Sequence, residues 1–322
     1  MKITVGTFNL FQFVEPPYAW YTRKDKFNLT QWSHKIRWIK EQIIKMDCDI
    51  IGFQEVFSQD ALKSLVQELG FNYFETVDVP KIHTNNKNIY VSMTVAIASK
   101  YPISKLEEVP LDTLSIKKHY FKDIFSFSRI PIKATITLPN KKDLLVYVCH
   151  LKSNRLNEFE YVFTKNDMLE EKKTLVSTAL EGKYSESLKQ RLCEASSLFF
   201  DIEKYKDTPI VLLCDLNDKE FSLTIDALSN PKYHNNKSLK NFVLYDANYQ
   251  YIPLNPHPEK KPIERKSTSY FLGKGNVLDY IFISKDIAKV TNYAVLDKHL
   301  ENNKDGSLLT SDHAQVVCEL TL

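Results

Sequence analysis

The 322-residue sequence predicts an α/β fold, because apolar runs of strand length alternate with longer stretches of helical periodicity. Hydrophobic residues make up 43% of the chain and aromatic residues 12%, enough to build a large core. The 43 basic and 40 acidic residues leave a formal net charge of +3, too small to indicate a polyanionic partner by itself. The composition therefore favours a folded α/β protein and argues against a disordered chain.

Short apolar runs carry the strand predictions. Strands are expected at about 3–9, 49–54, 94–98, 130–138, 144–149, 209–214, 278–283 and 314–320. Several of these runs adjoin acidic, amide or imidazole side chains. We therefore expect a sheet to gather such side chains at one edge.

Helical spacing of apolar residues predicts the helices between the strands. The first helix is expected at 31–46 with Thr30 as its N-cap, and the second begins after Ser58 and ends at Gly70. The tract 160–205 is rich in helix-forming residues and is expected to hold two helices.

Cysteine usage and the lack of long apolar segments bear on location. The five cysteines are odd in number and lack metal-type spacing, so they are expected to be buried thiols in a reducing compartment. The sequence opens directly on a strand pattern without a signal peptide, and no run approaches the roughly 18 apolar residues that span a bilayer. A cytoplasmic location is therefore expected.

Six short motifs accompany the predicted strands. They are Thr7-Phe8-Asn9, Gly52-Phe53-Gln54-Glu55-Val56, Cys149-His150-Leu151-Lys152, Cys214-Asp215-Leu216-Asn217, Leu278-Asp279-Tyr280-Ile281-Phe282 and Ser311-Asp312-His313. Each is weak alone, since an acid after a strand is usually a solvated turn. In this order they resemble the endonuclease/exonuclease/phosphatase superfamily, which includes pancreatic deoxyribonuclease, abasic-site endonucleases, neutral sphingomyelinases and inositol-polyphosphate phosphatases. The resemblance spans nearly the whole chain.

The resemblance implies the architecture. It predicts a four-layer α/β sandwich, in which two packed mixed β-sheets are flanked by helices and the active site lies at one sheet edge. We expect one catalytic domain over 1–322, with insertions near 11–30, 156–185 and 230–269.

The resemblance also implies a metal site. Glu55 is expected to be the principal metal ligand, with Asn9 and Asp312 as further ligands or as groups that orient them. Oxygen ligands of this kind favour Mg²⁺, with Mn²⁺ as the alternative.

Five further residues receive catalytic roles from the resemblance. Asp215 is expected to orient or deprotonate the attacking water, and Asn217 to donate a hydrogen bond to the phosphate. Asp279 is expected to hold His313 in its phosphate-binding orientation. His150 resembles the phosphate-contacting histidine of the deoxyribonuclease, sphingomyelinase and inositol-phosphatase branches, which weakens an abasic-site interpretation.

Four residues are expected to contact the rest of the substrate. Lys152 and Arg155 follow His150 directly and would attract phosphates, although a solvated basic loop explains them nearly as well. Tyr18 and Trp20 belong to an aromatic loop after Asn9, where rings could stack on bases or cover a lipid headgroup. Packing of that loop against the body is the competing explanation.

Three functions remain open at this level. The first is a Mg²⁺-dependent phosphodiesterase acting on nucleic acid, a nuclease that cleaves DNA or RNA by in-line attack of a metal-oriented water. The second keeps the chemistry but acts on a phospholipid headgroup, as in a sphingomyelin-type enzyme, or on another small phosphodiester. The third is a catalytically silent binding module on the same fold. The sequence does not predict an oligomeric state.

Overall fold

The structure is a computed structural model that describes residues 1–118, 125–154, 161–181, 186–235, 242–251, 265–271, 274–300 and 309–322. The described strands are β1 (Lys2–Phe13), β2 (Ala19–Trp20), β3 (Ile50–Val56), β4 (Tyr73–Glu75), β5 (Ile82–His83), β6 (Asn86–Tyr90), β7 (Thr94–Ser99), β8 (Ile103–Glu108), β9 (Ile132–Thr137), β10 (Asp143–His150), β11 (Ile210–Asp215), β12 (Tyr245–Asp246), β13 (Ser269–Phe271), β14 (Lys274–Asn276), β15 (Asp279–Ile283), β16 (Lys289–Leu296) and β17 (Gln315–Thr321). The described helices are α1 (Leu29–Met46), α2 (Gln59–Glu68), α3 (Thr113–Lys118), α4 (Leu169–Glu181), α5 (Glu186–Glu203), α6 (Leu223–Ser229) and α7 (Ala247–Gln250), with a 3₁₀ turn at Pro231–His234.

Two six-stranded mixed sheets form the centre of the fold. The first has the order β16-β17-β1-β3-β7-β4, and the second has the order β12-β15-β11-β10-β9-β8. Within them β1 pairs in parallel with β3, and β10 pairs in parallel with β11. The antiparallel partners β17 and β15 run the other way, so their N-terminal ends lie beside the C-terminal ends of β1 and β11. This arrangement creates the edge at which functional side chains meet.

The sheets pack face to face and carry helices on their outer faces. Side chains such as Ile97, Val146 and Leu213 fill the space between the sheets. A Cβ atom added at Gly52 would lie 2.9 Å from the Cβ of Leu213, so glycine allows the sheets to approach closely here. Apolar residues of α1 and α2 pack on the first sheet, and those of α4, α5 and α6 pack on the second. The expected four-layer α/β sandwich is confirmed.

Local details differ from the sequence predictions. Helix α1 begins two residues early, because Asn28 rather than Thr30 is its N-cap and forms a capping box with Gln31. The aromatic loop is not wholly irregular, since β1 continues to Phe13 and β2 joins the small sheet β2-β6-β5. Strands β8 and β16 were not predicted, because their side chains are mostly half-buried or exposed and give no apolar run. The two predicted helices of the tract 160–205 correspond to α4 and α5.

Candidate active site

One edge of the sandwich gathers most of the predicted site residues. They are Asn9 on β1, Glu55 on β3, His150 at the end of β10, Asp215 at the end of β11, Asp279 at the start of β15, and Asp312 and His313 just before β17. Register explains the gathering, because β10 pairs His150 with Asp215 and β15 pairs Asp279 with the same Asp215. Four of these residues are almost fully buried: Asn9, His150, Asp215 and Asp279.

Asp279 and His313 form a buried hydrogen-bonded pair. Their Oδ2 and Nδ1 atoms lie 2.8 Å apart. Burial alone would lower the pKa of this imidazole, but the carboxylates of Asp279, Asp312 and Asp215 raise it well above its usual value. The backbone N–H of His313 donates to Ser311 Oγ, and that hydroxyl donates to the carbonyl of Asn9. The carboxylates therefore favour the charged form of the imidazole, and the bond to Asp279 fixes the orientation of the ring.

Asp215 is a buried carboxyl held by two amides. Asn9 Nδ2 donates to its Oδ2 over 2.9 Å, and the backbone N–H of Asn217 donates to its Oδ1 over 2.8 Å. Burial raises the pKa of Asp215 to about 7, with the His313 charge opposing and the Asp279 charge adding to the rise. A carboxyl with this pKa is matched to proton transfer near neutral pH.

His150 lies beside Asp215 as a neutral imidazole. Its Nε2 is 3.4 Å from Asp215 Oδ2, and its Nδ1 has no hydrogen-bond partner among the described residues. Burial lowers the pKa of His150 well below its usual value, and the charge of Arg129 lowers it further. The neutral ring still has one N–H to donate and one nitrogen that accepts.

Glu55 is held from the backbone at the end of β3. Its Oε2 accepts a hydrogen bond of 2.8 Å from the N–H of Gln12, and Glu55 itself has a left-handed φ of 59°. Burial raises the pKa of this half-buried carboxyl, and the nearby Asp312 carboxylate raises it further. Glu55 therefore faces a second acid.

The chemistry of Glu55 and Asp312 fits a divalent cation. Asp312 Oδ1 is buried without a hydrogen-bond partner among the described residues, 3.9 Å from His313 Nε2, and burial raises the pKa of Asp312 as well. Two oxygen-donating acids that repel one another gain most from a shared hard cation such as Mg²⁺ or Mn²⁺. Asn9 Nδ2 donates to Asp215, and its Oδ1 accepts the N–H of Phe11. An amide oxygen has two lone pairs, so these contacts are compatible with Asn9 as a ligand or as a group that orients its neighbours.

A second group of potential ligand atoms lies close by. Asp215, Asp279 and His313 each offer one atom within 4.8 Å of the others, and within the described ranges Asp279 Oδ1 also lacks a hydrogen-bond partner. The charged His313 already supplies a positive charge to these acids, and its hydrogen bond with Asp279 accounts for their proximity. The pair Glu55 and Asp312 is therefore the better fit to a cation.

Residues around the carbonyl of Leu151 line the approach to this site. Asn217 Nδ2 and Arg129 Nη1 both donate to that carbonyl, over 3.1 Å and 3.0 Å. The half-buried Arg129 also donates to Ser153 Oγ, and its charge lowers the pKa of Glu55. Sequence reasoning missed Arg129, and the only available signal was a lone arginine just before the predicted strand at 130–138.

Of the two basic residues predicted to contact the substrate, Lys152 lies within the described residues. The backbone of Lys152 is fixed next to the cleft, because its N–H donates to Glu194 and its carbonyl accepts from Arg191. Arg155 lies outside the described residues.

The predicted aromatic contacts pack within the aromatic loop. Tyr18 packs on Tyr90 at 5.1 Å, and Trp20 is 5% exposed and packs on Phe27 at 5.0 Å. Neither lines the cavity beside the candidate site. Tyr21 is 48% exposed; burial of its hydroxyl raises its pKa, the charge of Arg129 lowers it and that of Glu55 raises it.

A cavity of about 370 Å³ adjoins the candidate site and is lined in part by Glu55, Asn217, Asp312 and His313. The rest of its lining is aromatic and aliphatic, with polar side chains between, and comprises Tyr161, Phe163, Val176, Leu188, Leu223, Leu278, Asn154, Arg191, Asp218, Lys219, Ser222, Ser269 and Asn276. The cavity joins the acidic and imidazole groups to a compartment with room for one ring-sized substituent.

The fold and this group of side chains define an α/β sandwich protein with a phosphoesterase fold. The chain belongs to the Endonuclease/Exonuclease/phosphatase family, whose sequence model matches residues 6–313. No curated protein matches the chain at the level of sequence. In the described part of the chain, no helix has the length and apolar character needed to cross a membrane.

Solved structures share the fold at low sequence identity. The human Nocturnin catalytic domain with a bound sulfate anion is 15% identical, with a TM-score of 0.60 over 99% of this chain and 93% of that one. A humanized D. rerio TDP2 is 13% identical, with a TM-score of 0.58 over 100% and 99% of the two chains. The mannosyl-6-phosphatase Bt3783 of Bacteroides thetaiotaomicron is 16% identical, with a TM-score of 0.54 over 99% and 100%.

Proposed function

We propose that this protein is a Mg²⁺- or Mn²⁺-dependent phosphodiesterase that hydrolyses nucleic acid by in-line attack of water. The observation that carries the proposal is the buried Asp215, whose pKa is raised to about 7, beside the charged pair of His313 and Asp279. This arrangement supports a role for Asp215 as proton acceptor beside an imidazolium that would bind phosphate. The five free, buried cysteines support a reducing, cytoplasmic location.

The residues divide the reaction between them. Asp215 accepts the proton of the attacking water as the water oxygen bonds to phosphorus and the bond to the leaving oxygen breaks. The charged His313 stabilises the negative charge on the phosphoryl oxygens. Asp279 binds Nδ1 of His313, so the other ring nitrogen, Nε2, points away from Asp279. Asn217 has one amide N–H in use on Leu151, which leaves the second for a phosphate oxygen.

Glu55 and Asp312 would hold the cation. When bound, it supplies charge neutralisation at the phosphate and at the leaving oxygen. Asn9 links the two parts of the site, because its amide nitrogen holds Asp215 while its oxygen is bound to the backbone that also holds Glu55. His150 is neutral, so it donates a hydrogen bond to phosphate without adding charge.

The cavity supports a nucleic acid substrate. Tyr161 and Phe163 lie 6.2 Å apart with nearly parallel rings, and amide and hydroxyl side chains stand among the apolar ones. Flat rings suit a base, and amides suit its hydrogen-bonding edge. The cavity of about 370 Å³ has room for one nucleoside, so we propose single-stranded ends or loops as the preferred substrate.

A small phosphate ester is the second candidate. The same enclosed cavity would also accept a sugar ring, and the similar fold of a mannosyl-6-phosphatase adds weight to this substrate class. A phospholipid headgroup is a third substrate for the same chemistry, with the sphingomyelin-type reaction as its test case.

A substrate panel tests the proposal. Single-stranded DNA, RNA, plasmid DNA, mannose 6-phosphate and sphingomyelin vesicles are incubated with Mg²⁺ or Mn²⁺ and wild type, His313→Ala or the control His34→Ala, which changes an exposed histidine of α1. Cleavage of single-stranded nucleic acid by wild type and His34→Ala but not His313→Ala is expected. Turnover of only the sugar phosphate or the lipid moves the assignment to that substrate, and no turnover of any of them contradicts it.

A further inference from the structure

The end of β1 has an unusual backbone directly beside the proposed metal ligands. Phe11 and Gln12 both adopt left-handed φ angles, of 51° and 57°, and the pairing of β1 with β3 shifts register between Asn9 and Phe13. Neither residue is glycine, so each conformation is costly and needs support from its surroundings. Bulges of this kind re-aim groups next to functional sites.

The bulge points two backbone N–H groups at the site. The N–H of Phe11 donates to Asn9 Oδ1 over 2.9 Å, and the N–H of Gln12 donates to Glu55 Oε2 over 2.8 Å. The orientations of Asn9 and Glu55 therefore depend on how these two peptide planes are turned.

Lys35 holds the opposite ends of the same two planes. This lysine of α1 is fully buried, and its Nζ donates to the carbonyl of Leu10 over 3.0 Å and to the carbonyl of Phe11 over 2.7 Å. A peptide unit is planar and trans, so the carbonyl of Leu10 belongs to the unit of the Phe11 N–H, and the carbonyl of Phe11 to the unit of the Gln12 N–H. One ammonium group thus fixes both planes at their oxygen ends.

The surroundings of Lys35 suit this task. Its Nζ lies 5.4 Å from the ring centroid of Phe27 and 6.0 Å from that of Phe11, within cation–π range. Burial lowers the pKa of Lys35 to about 7, while the charges of Glu55 and Asp312 act in the opposite direction. The ammonium is thus placed on the acidic side of the site without an ion pair of its own among the described residues.

We propose that Lys35 is a positioning residue, which orients Glu55 and Asn9 for the cation through the two peptide planes of the bulge. This inference rests on the proposed role of Glu55 as a metal ligand. It predicts that removing the donors of Lys35 weakens cation binding even though Lys35 touches neither the cation nor the substrate.

Calorimetric titration of the full-length protein with Mn²⁺ and with Mg²⁺ tests the proposal. Lys35→Met keeps an apolar stem of similar length and removes the donors, and it is expected to weaken cation binding at least about tenfold. It should lower kcat at subsaturating cation with a smaller change in KM for the substrate. Lys35→Arg keeps the charge but moves the donors into a rigid planar fork of different geometry, so its cation affinity should lie between those of Lys35→Met and wild type.

Lys133→Met is the matched control. Lys133 is also a buried lysine, but it lies on β9 of the second sheet, away from the bulge. There it contacts Asp201 of α5 and the hydroxyl of Tyr205. This variant should lose thermal stability and bind the cation as wild type does.

The outcomes distinguish failure of the positioning role of Lys35 from failure of the proposed metal dependence. Wild-type cation affinity in a folded Lys35→Met overturns the positioning role and leaves the proposed function intact. If Lys35→Met does not fold, Lys35→Arg decides, and unchanged affinity in that variant overturns the role. A wild-type protein that binds neither cation overturns the proposed metal dependence itself.

Discussion

The two halves of the candidate site are organised in different ways. In the proton half, formed by Asp215, Asp279 and His313, each acid has a side chain or backbone partner and the imidazole supplies a positive charge. In the cation half, formed by Glu55 and Asp312, the charge of Asp312 adds to the rise that burial causes in the pKa of Glu55. Asp312 Oδ1 has no hydrogen-bond partner among the described residues, and its nearest cation is His313, whose Nε2 is 3.9 Å away. The protein alone therefore orders the first half, whereas the second half is the part that we propose to bind a metal ion.

The largest effect is expected from the proton half. Asp215→Asn keeps the shape of the side chain but removes the proton acceptor, so kcat should fall about 10²–10⁴-fold. Because the cation half is left intact, Mg²⁺ affinity should stay within about threefold of wild type. Steady-state kinetics and calorimetry on the same preparation measure both quantities. A parallel loss of Mg²⁺ affinity would show that the two halves of the site are not independent.

Glu55→Gln changes the cation half of the site. We expect Mg²⁺ affinity to fall at least about tenfold, because one charged oxygen ligand becomes neutral. In EDTA the same variant should unfold at a slightly higher temperature than wild type, because the repulsion between Glu55 and Asp312 is relieved. A lower melting temperature in EDTA would mean that these acids do not oppose one another.

The pH dependence of metal-free stability should show the cost of burying Asp215. Its folded-state pKa is raised to about 7, so between its ordinary value of 3.8 and about 7 the folded protein binds this proton more tightly than the unfolded chain. Rising pH in that window therefore removes stability, by up to about 1.4 kcal/mol per pH unit from this group. Urea unfolding in EDTA at pH 4 to 7 should show wild type losing stability relative to Asp215→Asn, and parallel curves would contradict the buried, protonated carboxyl.

Arg129→Gln should produce a smaller effect confined to substrate binding. Arg129 lies beside the cleft and is expected to attract phosphate, so KM should rise about fivefold to tenfold with kcat within about twofold. The salt dependence of kcat/KM should also weaken. Arg37→Gln, at an exposed position of α1, is the control and should match wild type. An unchanged KM in Arg129→Gln would mean that this arginine only holds the loop at Leu151 and Ser153 and does not contact the substrate.

Trp20→Phe should have the smallest effect on activity. Trp20 is buried on Phe27, so the substitution leaves a small void and should lower the free energy of unfolding by about 1 kcal/mol. kcat and KM should both stay within about twofold of wild type. A several-fold rise in KM would show that this ring reaches the substrate.

Much of the fold follows from the sequence, because buried strands such as β10 and β11 are continuous apolar runs that end at chemically distinctive residues. The placement of His313 beside Asp279 also follows from motif order. What the sequence does not reveal is the geometry that tertiary packing creates. Lys35 looks like an exposed helical lysine, and only the bulge above it explains its burial.

Calorimetric titration of Mg²⁺ into wild type, Glu55→Gln and Asp215→Asn tests the division of the site most directly. The account predicts that Asp215→Asn binds Mg²⁺ nearly as wild type does, while Glu55→Gln loses at least about tenfold in affinity. The opposite ranking, with Mg²⁺ affinity lost in Asp215→Asn and kept in Glu55→Gln, would contradict it and would place the cation among Asp215, Asp279 and His313.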